Sequence, residues 1–198
     1  MRRLLATAVA TAAAIGLGAA TADARGWHHP QPAGSIVDVA VAASGTDGPD
    51  ANPRDYDLLI AAVTATGLAP VLADESQRFT VFAPDDRAFQ RLVRDLTGGG
   101  RLPSEQATLD AVLATFSVDE IKNILLYHVV AGRQLGPLQV LFAGSLTMAN
   151  GGIVKPRLFR LVDETPALRD PRLVLRAIDI RATNGVIHTI DRVLVPAS

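Results

Sequence analysis

The stretch "ATNGVIHTIDRVLVP", residues 182–196, constrains this chain more than any other. An Asn-Gly pair separates two runs rich in β-branched residues, Val174 to Thr183 and Val186 to Val195. Asn-Gly suits the type I′ turn, whose twist matches that of two paired antiparallel strands. The pattern predicts a β-hairpin with Asn184 and Gly185 at its tip. In that register Thr183 faces Val186, Arg181 faces His188, and Asp179 faces Ile190, diagonal to His188 on the same face. The face shared by Val186, His188, Ile190 and Leu194 is mostly apolar. A histidine in such company reads as a neutral core residue whose ring nitrogens are satisfied by hydrogen bonds.

Ahead of this hairpin the periodicity is helical. "SIVDVAVAAS" opens with a capping box, Ser35 with Asp38, and an apolar face of Ile36, Val39, Ala40 and Ala43. A loop rich in Gly, Pro and Asp follows. The next helix carries Tyr56, Leu59, Ile60 and Val63 on one face and stops at Gly67. In "RFTVFAPDDRAFQRLVRDL" the period changes. Phe79 to Ala83 reads as a short buried strand, Pro84 breaks it, and Asp85 caps a helix whose buried face is Phe89, Leu92, Val93 and Leu96. Asp86 stands in that helix's first turn, where the dipole favours a carboxylate. Gly98 to Gly100 ends the helix. A second capping box, Ser117 with Glu120, starts a helix carrying Ile121, Ile124 and Leu125, which runs into Tyr127-His128 and the strand-forming pair Val129-Val130. From Gly132 onward, strand and turn signals dominate. Helices first and strands last define an α+β class with one compact domain over residues 35–196.

The start of the chain reads as an export signal: Arg2 and Arg3, an apolar stretch from Leu4 to Ala20, and Ala22-Asp23-Ala24 as a small-residue cleavage site. Residues 1–24 are the expected signal peptide and residues 25–34, "RGWHHPQPAG", a flexible leader. The expected location is secreted or periplasmic. The chain has no cysteine, so the domain is stabilised by its core without disulfides, and thiol chemistry is excluded. After signal cleavage no segment is long and apolar enough to form a transmembrane helix. A formal net charge of −1 gives no footprint for nucleic acid.

Three stretches together, "FTVFAPDDRAF", "LLYHVVAGR" and "ATNGVIHTIDRVLVP", resemble the signature boxes and the central Tyr-His segment of fasciclin-like domains, in the family's order. "SIVDVAVA" and "LIAAVTATGLAPVL" resemble that domain's opening helices, so the likeness spans Ser35 to Pro196. The resemblance implies two short β-sheets wedged together with helices packed along one side. It also implies a secreted, non-catalytic interaction module acting in cell-surface or extracellular-matrix adhesion, with an unidentified protein or glycan partner. Some single-domain relatives imply an alternative, a carrier of a small lipophilic ligand such as a carotenoid. Asp85 stands where the first box commonly has Thr or Ser, and Asn123-Ile124 where adhesive animal relatives have Asp-Ile.

The candidate partner or ligand contacts are Tyr127 and His128. The competing reading is a junction clamp, in which a ring N–H serves a freed helix carbonyl. The structural signature residues are Asp85, Asp86, Asp179, Asn184, Gly185, His188 and Asp191. No catalytic, cofactor or metal residues are expected. There is no Gly-x-Ser-x-Gly elbow and no short histidine ligand spacing, and the glycine run follows a helix instead of opening one. The segment Lys155 to Arg176 combines a mild basic excess with Leu158, Phe159 and the adjacent Ile153, and reads as a solvated face bordering a groove.

Overall fold

The computed structural model describes residues 34–45 and 48–197. The expected signal peptide and the leader, apart from Gly34, lie outside the described residues. The first helices are α1 (Ile36–Ser44), α2 (Asp57–Ala65) and α3 (Ala69–Leu72), followed by strand β1 (Phe79–Pro84). Helices α4 (Asp86–Leu96), α5 (Glu105–Thr115) and α6 (Val118–Leu126) lead into β2 (Val129–Ala131) and the short helix α7 (Pro137–Leu141). The remaining strands are β3 (Leu146–Thr147), β4 (Ile153–Arg157), β5 (Arg160–Val162), β6 (Ile180–Ala182) and β7 (Gly185–Ile190).

Two sheets organise the domain: a four-stranded sheet in the order β2-β1-β7-β6 and a three-stranded sheet in the order β3-β4-β5. The α+β reading and the pair of small sheets are therefore observed. Every residue of β1 and of β7 is buried, because both faces of the larger sheet are covered. Phe79, Val81, Ala83 and Ile187 join the helical core with Leu58, Leu92 and Leu125. Phe82 and Ile190 join a second core with Tyr127, Val154 and Leu161, which includes the inner face of the smaller sheet. Two covered faces explain why these strands read as continuous apolar runs without polar alternation. Burial of each large side chain contributes about 1.5–3 kcal/mol, and truncating the fully buried Phe82 would cost about 3–5 kcal/mol.

Both sequence-read capping boxes form. Ser35 Oγ accepts from the Asp38 N–H at 3.3 Å while Asp38 Oδ2 accepts from the Ser35 N–H at 2.8 Å. The Ser117–Glu120 pair repeats this at 3.3 and 2.8 Å. Asp85 Oδ1 accepts from the Ala88 N–H at 2.9 Å and so caps α4.

The terminal hairpin exists, but its register differs from the sequence expectation. The observed pairs are Ile180 with Ile187, Arg181 with Val186, and Ala182 with Gly185. The turn residues are therefore Thr183 and Asn184, and Arg181 does not face His188. Neither Asn184 nor Gly185 has a positive φ, so the pair is not a type I′ turn. Their roles come from tertiary packing. Asn184 is fully buried, and its Oδ1 accepts from the Ile36 N–H at 2.9 Å while its Nδ2 donates to the carbonyls of Leu72 and Asp74 at 2.8 and 3.1 Å. Gly185 is there because a Cβ would lie 2.6 Å from the Phe79 carbonyl oxygen and against Ile36 Cδ1.

Other differences have similarly local causes. The run expected as one strand from Val174 to Thr183 is interrupted by a 3₁₀ turn at Leu175–Ala177 and by Asp179 in the left-handed region at φ 57°. Asp179 therefore does not face Ile190. Leu96 and Ala43, expected on buried faces, are exposed, each standing in the last turn of its helix. Helix α5 carried no strong apolar period and was not anticipated. Its cap is nonetheless regular: Ser104 Oγ accepts from the Ala107 N–H at 3.2 Å.

Candidate functional site

The three signature stretches meet at Phe82. Its backbone N–H donates to the His128 carbonyl at 2.9 Å. It pairs in parallel with His188, and the two rings lie 5.9 Å apart, tilted by 31°. Parallel pairing of β1 with β7 thus joins segments far apart in the chain, and β2 brings the Tyr-His junction to the other edge of β1.

His188 is fully buried. Its Nε2 lies 2.7 Å from the Leu135 carbonyl, and its Nδ1 lies 3.2 Å from the Asp179 backbone nitrogen. Only one tautomer satisfies both: Nε2–H donates to Leu135 and Nδ1 accepts from the Asp179 N–H. Burial pushes the ring's pKa below the ordinary histidine value, against a smaller opposing effect from the Leu135 hydrogen bond and Asp179. The ring is a neutral cross-link between β7, the segment after β2 and the left-handed corner at Asp179. Asp179 also pairs its carboxylate with Arg181 at 3.0 Å.

His128 repeats this design. It is 2% exposed, with Nδ1–H donating to the Ile124 carbonyl at 2.7 Å and Nε2 accepting from the Leu194 N–H at 2.9 Å. Burial pushes its pKa down to about 4, only partly opposed by the Ile124 hydrogen bond. Tyr127 is fully buried, and its hydroxyl donates to the Ile153 carbonyl at 3.0 Å. Neither ring presents itself to a partner. Both side chains act as the junction clamp, tying the end of α6 to β4 and to the segment after β7. With both nitrogens of each imidazole engaged, neither histidine offers a lone pair for general base catalysis or metal ligation.

The aspartates of the signature flank the ends of β1 and β7. The Asp85 N–H donates to the Ile190 carbonyl at 3.3 Å. Burial pushes the Asp85 carboxyl up to about 6, with the Ala88 N–H and the Arg91 guanidinium pulling the other way. Asp191 accepts from the Arg172 N–H at 2.8 Å and pairs with Arg91 at 3.4 Å, while Arg91 also donates to the Asp191 carbonyl at 2.7 Å. Asp86 is fully buried, and its carboxylate accepts from the N–H groups of Asp57 and Leu58 at 3.2 and 2.8 Å, capping α2 across space. The sequence reading assigned Asp86 only to its own helix.

Around Asp86 lies a grouping that sequence spacing did not indicate. Oxygens of Asp55, Asp86 and Glu105 lie within 4.8 Å of one another, and those of Asp50, Asp57 and Glu105 do likewise. Asp55, Asp57, Asp86 and Glu105 are all buried. Burial, then the nearby Asp55, pushes the Asp86 carboxyl up to about 9, and burial also raises Glu105. A separate cleft lies elsewhere. It measures about 620 Å³ and is lined by Arg160, Arg169, Arg172 and Arg192 with Asp163, Asp170 and Asp191.

Residues 54–196 match the family described as fasciclin domain. The chain is 31% identical to Protein sll1483 of Synechocystis sp. over 146 residues, 74% of this chain and 70% of that protein. It is 33% identical to human Stabilin-1 over 129 residues, covering 64% of this chain but 4% of that much longer protein. Among solved structures it resembles a domain pair from the insect cell adhesion molecule fasciclin I. That likeness has a TM-score of 0.56 at 17% identity and covers 83% of this chain and 51% of that one. The two-sheet fold joined at Phe82 and the family match define a domain of the fasciclin type. This chain belongs to the fasciclin domain family.

Proposed function

We propose that this protein is a secreted or periplasmic, non-catalytic fasciclin module that recognises a cell-surface or matrix partner, protein or glycan, through its folded surface. The observation that carries this reading is a set of large apolar side chains left outside both cores. Leu158 and Phe159, at the turn between β4 and β5, are 77% and 45% exposed, and Leu158 is held at φ 54°. A leucine in the left-handed region is uncommon, and such outliers concentrate where structure serves recognition. Leu138 and Phe142, four residues apart on and just beyond α7, are also exposed, Phe142 at 84%. A few buried anchors carry most of the binding energy at protein interfaces, aromatic ones more often than leucines, and exposed apolar patches mark interaction sites. The buried, fully bonded Tyr127 and His128 support the reading from the other side, since they scaffold the surface and do not form part of it.

The test is binding of the mature protein to its native envelope or matrix fraction, compared with Phe142→Ala and Leu158→Gly/Phe159→Ala variants. Loss of at least about tenfold in affinity, about 1.4 kcal/mol, with melting temperatures preserved supports the reading. Unchanged binding by all variants sinks it. The lipophilic-carrier alternative has less support. The apolar cavity lined by Leu58, Phe89, Val112 and Ile121 is only about 10 Å³, whereas ligand pockets commonly measure about 300–1,000 Å³. A visible absorption band in protein purified from its native source would reverse that preference.

A further inference from the structure

The cleft lined by Arg160, Arg169, Arg172 and Arg192 holds positive charge that the fold does not use. Its volume is about 620 Å³, and a second cleft of about 500 Å³ shares Leu168 and Arg169 with it as a common wall. Most of the carboxylates here are committed. Asp163 accepts from the N–H groups of Thr165 and Val195 at 3.0 and 3.1 Å. Asp191 takes the Arg172 N–H and the Arg91 guanidinium. In the second cleft, Asp95 accepts from both Arg94 and Arg192, at 2.8 and 2.7 Å. By contrast, the guanidinium groups of Arg169 and Arg172 take part in no ion pair or hydrogen bond among the described residues. Arg160 has a single contact, with Asp170 at 3.6 Å.

The backbone sets two of these arginines in direct opposition. Arg160, at the start of β5, forms an antiparallel bridge with Arg172. The flanking bonds run from the Leu161 N–H to the Pro171 carbonyl at 2.9 Å and from the Leu173 N–H to the Phe159 carbonyl at 2.8 Å. Arg160 and Arg172 are therefore a non-hydrogen-bonded pair, the arrangement that brings opposed side chains closest. Like charges directly opposite each other on paired strands are destabilising. An anion between them reverses the sign of that interaction, and guanidinium forks match a carboxylate in geometry as well as charge.

The rest of the lining selects the ligand. Two clefts with a common wall suit an extended chain better than a lone ion. Neither has an aromatic lining residue, so there is no face on which nucleobases would stack. Asp163 and Asp170 retain acceptor capacity for hydroxyl donors, and their charge opposes a ligand that carries nothing but anions. We propose that this cleft binds a linear acidic polysaccharide of the uronate type, with sugar carboxylates on Arg160, Arg169 and Arg172 and sugar hydroxyls donating to the aspartates. None of Leu138, Phe142, Leu158 and Phe159 lines either cleft, so the site is separate from the side chains on which the adhesion reading rests.

Calorimetric titration of the mature protein with oligogalacturonate, in EDTA to exclude metal bridging, tests it. Binding should be saturable and should weaken as salt rises. It should fall at least about tenfold in the Arg160→Gln/Arg172→Gln double variant. Without ligand, that variant should melt no lower than wild type, because it relieves a like-charge pair and loses only one exposed ion pair. Lys122→Gln on α6, which also removes a positive charge, and Phe142→Ala should both bind as wild type does. The methyl-esterified oligomer keeps its hydroxyls but loses its charge, and wild type should bind it at least about tenfold more weakly. Absence of saturable binding, or equal binding of the esterified oligomer, would overturn the proposal whether or not the variants fold. Binding that the double variant leaves unchanged would overturn the cleft. Polyglutamate or a single-stranded oligonucleotide bound as tightly as the sugar would overturn the ligand class.

Discussion

Replacing His188 with alanine isolates what the buried imidazole does. The ring is fully buried, touches Phe82 and makes two hydrogen bonds, to the Leu135 carbonyl at 2.7 Å and from the Asp179 N–H at 3.2 Å. A large-to-small core substitution costs about 2–5 kcal/mol, and a stranded buried polar group about 1–3 kcal/mol more. The two losses act in the same direction, so a total of at least about 3 kcal/mol is expected, against a typical stability of about 5–15 kcal/mol. In a domain of this size that corresponds to a melting temperature lower by about 10 °C. The pH dependence has a definite sign. The folded ring's pKa lies below the unfolded value of about 6.5, so the unfolded chain takes up a proton that the folded chain refuses. The stabilisation by His188 is therefore complete above pH 7 and shrinks as the pH falls through about 6.5. Subtracting the His188→Ala melt from the wild-type melt at each pH cancels groups that titrate in both. The gap should narrow between pH 7 and pH 5, and the ring's NMR shifts should not titrate near neutrality. An unchanged melt with a freely titrating ring would place His188 at the surface and refute the argument.

Three further outcomes are expected. Asn184→Asp turns a donor toward the Leu72 and Asp74 carbonyls into an acceptor, and should destabilise by about 3–5 kcal/mol; a melt within one degree or so of wild type would refute the anchor. Gly185→Ala should destabilise by about 1–3 kcal/mol or more, and Ile36→Ala should not rescue it, because the closest obstacle that cannot move aside is the Phe79 carbonyl; full rescue would show otherwise. Asp85→Asn preserves the cap but removes a carboxylate whose folded pKa is raised to about 6. Since the raised value means that ionisation opposes folding, the variant should gain about 1–3 kcal/mol at pH 8 and nothing below about pH 4; equal effects at both pH values would contradict this.

How much of this was legible in the sequence depended on whether the signal was local. The β1–α4 unit was readable because "FTVFAPDDRAF" packs a strand, a breaker and a cap into consecutive residues. The capping boxes at Ser35 and Ser117 were readable for the same reason, and so was the buried, neutral character of His188. Asn184-Gly185 was misread, because a strong turn signal outweighed two constraints from distant segments, the hydrogen bonds to Ile36, Leu72 and Asp74 and the crowding by Phe79. Helix α5 went unseen because its apolar residues do not mark out one face and only Val112 among them is buried. The acidic grouping was invisible in principle: Asp55, Asp86 and Glu105 come from three separate segments, with no spacing to connect them before the chain is folded.

The parallel pairing of β1 with β7 has a consequence for the life of the chain during synthesis. Strand β1 is made early, yet the partner that borders it along its whole length, from Phe79 opposite Gly185 to Pro84 opposite Ile190, is made after nearly every other element. Contacts of such long sequence separation form slowly, because loop closure must precede the gain from pairing. A nascent chain that has not reached Gly185 has neither its central strand nor the Asn184 anchor for α1. Until then the sheet is incomplete, and a truncated copy exposes the edge of β1 to aggregation and proteolysis.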